Sequence, residues 1–266
     1  MVAVVADVDA LLGLASELAR RAGELLLAEA PDRADDVSTK SSRTDMVTAV
    51  DVASEALIVG AIERERPDDG VLGEEGSNRD GTSGVRWIID PLDGTTNYLY
   101  GFPMFAVSIA VEVDGDVEAG AVFHPSLDEL FTARRGGGAQ CNGHPIQVSG
   151  HDDLATALIG TGFAYDADMR RTQGRWLERI LPSVRDIRRG GAAALDLCWV
   201  ACGRLDGFYE AGLAPWDFAA GALIAREAGA DTSAFDGGPM RAGSVLAASP
   251  AIAPPLRRLV SEAATL

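Results

Sequence analysis

The stretch Trp87-Ile88-Ile89-Asp90-Pro91-Leu92-Asp93-Gly94-Thr95-Thr96-Asn97 decides how the chain is read. An apolar strand beginning at Val85 ends at Asp90, because Pro91 removes the amide that a central strand needs to continue. Asp93 follows three residues on, and Gly94-Thr95 allows a tight turn whose amides point outward. Two carboxylates at this spacing can converge on one hard cation, and outward amides beside them suit an anion such as phosphate. Metal and phosphate ligands adjacent in sequence point to metal-assisted phosphoryl chemistry. The competing reading is a capped turn, since Asp beside Gly closes many strand ends.

Two further acid groups look placed. In Leu72-Gly73-Glu74-Glu75-Gly76 a short apolar run ends in a glycine-flanked acid pair. Neighbouring side chains on extended backbone point opposite ways, so Glu74 and Glu75 have different roles; one joins the cluster, or both end a solvated loop. In Ala214-Pro215-Trp216-Asp217-Phe218-Ala219-Ala220-Gly221, Asp217 precedes an apolar helical run. Helix N-cap and cleft-facing ligand both fit that position, and the local pattern leaves the choice open.

Composition narrows the chemistry. With 40 Asp plus Glu against 23 Lys plus Arg, the 266-residue chain has a formal net charge of −17. A hydrophobic fraction of 47% and a charged fraction of 24% are those of a globular protein, which excludes a disordered chain. The acid excess argues against nucleic acid and anionic membranes as partners, because both need a basic face. Three histidines leave little material for an imidazole-built metal site, so carboxylates and a hard cation are expected. The odd cysteine count (Cys141, Cys198, Cys202) is no disulfide framework, and Cys198 and Cys202 read as buried thiols of one helix. Met1–Ala10 carries Asp7 and Asp9 with no basic segment, so it does not read as a signal peptide, and no apolar run reaches membrane-span length. A soluble, cytoplasmic protein is expected.

Leu and Ala at helical spacing predict a first helix over residues 9–30, and a second opens at Asp51 and stops before Pro67. Residues 32–44 are polar and read as a loop. Short apolar runs then follow, with a hairpin at Asp114-Gly115-Asp116 and a glycine-rich connection, Arg135–His144, leading to a strand at Ile146–Val148. Beyond Gly150, strands and helices alternate, with helices over 169–181, 192–202, 216–228 and 253–264. Mixed hairpins and crossovers predict an α+β fold of mixed sheets layered with helices. A soft boundary near Gly150 divides an N-terminal half, 1–150, carrying most of the candidate ligands from a C-terminal half, 151–266, carrying Asp217, within one compact unit.

The order of these groups resembles the inositol monophosphatase family of Mg-dependent, lithium-sensitive phosphatases. The resemblance rests on Gly73–Glu75, Trp87–Asn97 and Trp216–Gly221, with further matches at Lys40–Asp51, Cys141–Gly143 and Tyr209–Glu210. It runs from the first helix to the last, and closest to the bacterial inositol-1-monophosphatases. It implies a layered αβαβα sandwich and two or three Mg2+ ions. The implied metal ligands are Glu74, Asp90, the Leu92 carbonyl, Asp93 and Asp217, with Asp51 on a weaker third site. Glu74 and Thr95, with Asp90, would serve the attacking water. Asp93, Gly94 and Thr95 would cradle the phosphate. Gly191, Ala192, Ala193, Glu210 and Asp217 would contact the alcohol, and Lys40 and Asp51 would belong to an outer loop. The implied substrate is myo-inositol 1-phosphate or a related small polyol phosphate. Fructose 1,6-bisphosphate, histidinol phosphate, NADP and an adenosine bisphosphate are rivals, and a regulatory partner-binding protein on the same fold is the alternative of another kind. A homodimer is also implied.

Two departures from the family pattern bear on substrate. Gly191-Ala192-Ala193 stands where Ser or Thr often replaces Ala192, so a hydroxyl near the substrate is missing. Thr96 follows Thr95 where the histidinol-phosphatase branch often has Lys. Of the remaining residues, His124, His144 and His151 read as turn or surface residues. Trp87, Trp199 and Trp216 read as core or cleft wall. Arg185, Arg188 and Arg189 read as a solvated strand end, with an interface patch as the alternative.

Overall fold

Leu11, Ala15, Leu18, Ala22 and Leu26 recur three and four residues apart and form the buried stripe of α1 (Val8–Ala28), capped by Asp7, which accepts the Ala10 amide. The structure is a computed structural model that describes residues 7–30, 38–39, 46–47 and 49–265. A two-stranded ribbon, β1 (Ser38–Thr39) and β2 (Met46–Val47), precedes α2 (Ala49–Glu65). There follow β3 (Gly70–Gly73), β4 (Asn78–Arg79), β5 (Val85–Asp93), the short α3 (Thr95–Leu99), β6 (Ala106–Val113), β7 (Asp116–His124), β8 (Glu129–Arg134), β9 (Ala139–Cys141) and β10 (His144–Ile146). These strands make a sheet in the order β10-β9-β8-β7-β6-β5-β3-β4, antiparallel except for the β3–β5 pair.

The rest of the chain is β11 (Leu158–Thr161), α4 (Ala167–Ile180), β12 (Asp186–Arg188), α5 (Ala193–Ala201), β13 (Gly207–Glu210), α6 (Pro215–Glu227), β14 (Asp231–Ser233), β15 (Val245–Ala248) and α7 (Ala253–Ala264). Its sheet runs β12-β11-β13-β15-β14, with β11 parallel to both neighbours.

Five layers result. α1 and α2 cover one face of the larger sheet, α5 and α6 lie between the two sheets, and α4 and α7 close the far side. Pleating explains the division: Val107, Ile109 and Val111 of β6 pack toward α1 and α2, whereas Ala106 and Ala110 face the central helices. Position explains the helices. α5 is apolar nearly all round because it is buried all round, while α1 keeps a polar outer face. The expected αβαβα sandwich is therefore observed. No helix among the described residues is long and apolar enough to cross a membrane.

Several local expectations change. β5 does not end at Asp90 but continues through Pro91 to Asp93. The strand after the glycine-rich connection is His144–Ile146, paired with β9, rather than Ile146–Val148. β4, β9, β14 and α3 are too short to leave a periodic signal. The Asp114-Gly115 hairpin is as expected, both residues having positive φ, 54° and 92°.

Candidate active site

Asp90 and Asp93 are an odd number of residues apart, so in an unbroken pleat they would face opposite sides of the sheet. The register changes between them: Asp90 lies opposite Ser108 and Asp93 opposite Ala106, three steps on β5 against two on β6. This β-bulge turns both carboxylates toward the layer of α5 and α6, and it admits Pro91 within a central strand. Three backbone groups of the bulge find side-chain partners. Ser54 Oγ donates to the Pro91 carbonyl at 3.0 Å, Thr95 Oγ1 to the Leu92 carbonyl at 3.1 Å, and the Leu92 amide to Asp90 Oδ1 at 3.0 Å.

Gly94 then turns the chain into α3 with φ 90° and ψ 34°. A Cβ there would lie 2.7 Å from the Met104 carbonyl oxygen, so backbone conformation and space both require glycine. Asn97, at the end of the motif, donates from Nδ2 to the Met104 carbonyl at 2.7 Å and to the Gly190 carbonyl at 2.9 Å. It thereby ties the turn to the loop that enters α5.

Asp93 accepts the Ala193 and Ala194 amides, which open α5. Asp217 is not the cap of α6; that position is Ala214, and Asp217 sits within the first turn, accepting the Ala214 amide at 2.7 Å. Glu74 follows β3, with its amide bonded to the Ile89 carbonyl of β5 at 3.1 Å. Asp51 is buried on α2 behind Thr95, whose Oγ1 lies 3.5 Å from Asp51 Oδ2. Lys40 lies outside the described residues.

Glu74, Asp90, Leu92, Asp93, Gly94, Thr95, Gly191, Ala193, Glu210 and Asp217 all line one cleft of about 320 Å3. Of the sequence-predicted set, Asp51 and Ala192 do not: Asp51 stands behind the wall, and Ala192 is buried. Glu75 stays outside, so the acid pair divides as expected, although the two lie in the turn that follows β3 rather than on extended backbone. Trp216 is a cleft wall and Trp87 is core, its indole N–H donating to Asp69 at 2.9 Å.

The cleft is short of positive charge. Burial pushes Asp90 well above the usual carboxylate range, with repulsion from Glu74, Asp93, Asp217 and Asp51 adding to it. Burial and Asp217 raise Asp93 to about 8, against the two amides that favour its charged form. Burial raises Asp217 to about 6, opposed by the Ala214 amide and by a hydrogen bond with Asp90. Glu210 reaches about 8, chiefly by burial, with Arg189 pulling it down and Asp217 and Asp93 pushing it up.

Three residues were misread or passed over in sequence. Arg189 is exposed just beyond β12, which stops at Arg188, but it also lines the cleft. His124 is fully buried at the end of β7, with Nε2 2.9 Å from the Pro103 carbonyl and its ring edge against Trp199. Glu55, one turn beyond Asp51, is buried as well and bonds the loop that carries Glu74. Nothing in the local pattern separates it from a solvated helix acid.

Among the described residues, no three His, Cys, Asp or Glu side chains are already gathered about one point that could hold an ion. The chemistry of the donor set nonetheless fits a hard divalent cation. Four carboxylates and one carbonyl face a cleft whose sole basic lining residue among those described is Arg189, and the raised pKa values of Asp90, Asp93 and Asp217 record charge without compensation.

A layered αβαβα fold whose cleft gathers carboxylates beside a bulged strand fits the class of metal-assisted phosphoryl chemistry. The sequence profile of the inositol monophosphatase family matches residues 7–264, and the chain belongs to that family. It is 45% identical over 248 residues, covering 91% of this chain and 92% of the relative, to a protein named Nus factor SuhB from Escherichia coli K12. It is equally 45% identical over 222 residues, 81% of this chain and 83% of the relative, to an inositol-1-monophosphatase of Rhizobium meliloti. The solved Thermotoga maritima IMPase superimposes with a TM-score of 0.89 at 33% identity, covering 96% of this chain and 98% of that one.

Proposed function

We propose that the protein is a Mg2+-dependent phosphomonoesterase that hydrolyses myo-inositol 1-phosphate, or a related small polyol phosphate, to the alcohol and inorganic phosphate. The observation that carries this is the meeting of Glu74, Asp90, Asp93 and Asp217 with Thr95 in one cleft. Glu74, Asp90, the Leu92 carbonyl, Asp93 and Asp217 would hold two Mg2+ ions, with Asp51 contributing to a weaker third. Bound there, the metal supplies a lowered water pKa and neutralises charge on the phosphate and the leaving oxygen.

The chain's own residues supply the geometry. The single Thr95 hydroxyl proton is directed at the Leu92 carbonyl, on the side of Asp51, so Oγ1 is left as an acceptor. It can orient a water only by taking one of its protons, and Glu74 takes the other. The water's lone pair then faces the phosphorus. The Gly94-Thr95 turn offers amides with no carbonyl upstream to bond, and these suit the phosphate oxygens. Glu210, with Gly191 and Ala193 beside it, would receive the alcohol hydroxyls, and Arg189 sets the charge at that end of the cleft. Residues 1–150 and 151–266 act as two halves of one compact unit, since the cleft takes ligands from both. The family resemblance supports a cytoplasmic, lithium-sensitive homodimer.

A phosphate-release screen over small sugar and polyol phosphates, with chelator, with Mg2+ and with added Li+, tests the assignment. Release should require Mg2+ and fall with Li+. Equal release in chelator would sink it. The relatives named Nus factor SuhB favour a second reading, a partner-binding role on the same fold. Keeping every expected metal-site acid weighs for catalysis, alone or beside such a role.

A further inference from the structure

The loop that carries Glu74 is gripped from behind by a residue that does not line the cleft. Glu55, only 3% exposed, takes the Glu75 amide at 2.8 Å through Oε2 and the Ser77 amide at 3.0 Å through Oε1. A carboxylate is buried at high cost unless charged hydrogen bonds offset it, and here both its oxygens are engaged by one loop. The same loop is closed by the Gly73 amide on the Ser77 carbonyl at 2.7 Å and joined to β5 by the Glu74 amide. There is no slack between the two: a Cβ on Gly73 would lie 2.3 Å from Glu55 Oε2. Glu74 is thus bounded by Ile89 on one side and, through the next amide, by Glu55 on the other.

Glu55 also belongs to a stretch of α2 that reaches two further segments of the site. Ser54 holds the Pro91 carbonyl of the bulge, and Asp51 stands behind Thr95. We propose that Glu55 is a positioning residue, which sets where the Glu74 side chain enters the cleft and through it the affinity of the metal site. This rests on the reading of Glu74 as a metal ligand.

The test is a double-mutant cycle on the full chain, read by Mn2+ binding (calorimetry or electron paramagnetic resonance on chelator-treated protein) and by melting temperature. Glu55→Gln keeps the shape but offers one amide an N–H in place of an acceptor. It should weaken Mn2+ binding about tenfold or more, the range found when a group supporting a metal ligand is lost. In a Glu74→Gln background the same substitution should change Mn2+ affinity by less than about twofold, because the route is already cut. Gly73→Ala, which drives a methyl into the Glu55 carboxylate, should reproduce the loss independently. KM for the phosphate substrate at saturating Mg2+ should stay near wild type while the Mg2+ requirement rises. If Glu55→Gln binds Mn2+ as wild type does, or if its effect adds fully to that of Glu74→Gln, Glu55 is a loop staple only and the proposal is overturned. If Glu74→Gln itself binds Mn2+ normally, the ligand assignment fails and the proposal with it.

Discussion

Asp93 Oδ2 accepts the backbone amide of Ala194 at 2.7 Å, across 101 residues of sequence, and Oδ1 accepts that of Ala193 at 3.1 Å. A strand-end carboxylate therefore performs the capping of α5, whose own cap residue, Ala192, makes no side-chain bond. One residue joins the larger sheet, the central helix layer and the cleft.

Asp93→Asn should lower kcat roughly a hundred- to a thousandfold, the scale of losing one group that stabilises charge in the transition state. The fold should survive. Asn loses one of the two amide bonds, about 1–3 kcal/mol, but removes a carboxyl that burial and Asp217 hold at about 8. Melting of the metal-free variant near the wild-type temperature, with phosphate release gone, is the expected pair of results; wild-type turnover with Mg2+ would refute the role.

Ala192→Ser should stabilise the protein. The amides of Ala193 and Ala194 are taken by Asp93, yet the Leu195 amide in the same first turn remains for a cap hydroxyl. The gain expected of such a cap is about 1 kcal/mol, or roughly 2–4 °C in melting temperature. A fall in Tm would show that the buried site has no room for the oxygen.

Gly94→Ala should be damaging out of proportion to its size. The left-handed backbone costs a non-glycine residue roughly 1–2 kcal/mol, and the methyl would press on the Met104 carbonyl at 2.7 Å. Denaturant unfolding should show at least that loss, and kcat should fall with it because the neighbouring amides move. Unchanged kinetics would detach the turn from catalysis.

Glu210 gives a pH dependence with a definite sign. Folding raises its carboxyl from the ordinary 4.5 to about 8, mainly by burial. A raised carboxyl pKa favours the folded state while the proton stays on, so the contribution is complete below about 4.5 and lost as pH climbs through about 8. In chelator, Tm of the wild type should decline between about pH 5 and pH 9. Glu210→Gln should flatten that decline, leaving the part due to Asp90, Asp93, Asp196 and Asp217, which are raised in the same direction. An identical slope in the two proteins would contradict the raised carboxyl pKa of Glu210.

The acids of the cleft could be read from sequence because residue type and local spacing suffice to mark them: Asp90, Asp93, Glu74 and Asp217 each sit beside Gly, Pro or Trp in a way few surface acids do. What sequence missed depends on tertiary path. Arg189 was grouped with Arg185 and Arg188, yet the chain leaves β12 between the last two and turns Arg189 into the cleft. His124 reads as a turn or surface residue like the other two histidines; β7 in fact carries it to a buried place beside Trp199. Asp217 remained undecided because a first-turn helix acid accepts an upstream amide wherever it faces. Pro91 was given too much authority, since the rule against proline in a central strand lapses at a bulge.

That bulge also says what the segment can tolerate. It is a parity device: one surplus residue lets Asp93, three positions on, address the same side of the sheet as Asp90. Deleting Leu92 would restore an even pleat in which Asp93, now two positions from Asp90, still faces the layer of α5 and α6. What would vanish is backbone: the carbonyl that Thr95 Oγ1 bonds and the amide that Asp90 Oδ1 accepts, although every acidic side chain of the site was still encoded. Length here is a chemical variable, because the surplus residue serves the site through its main chain, where no substitution could remove it.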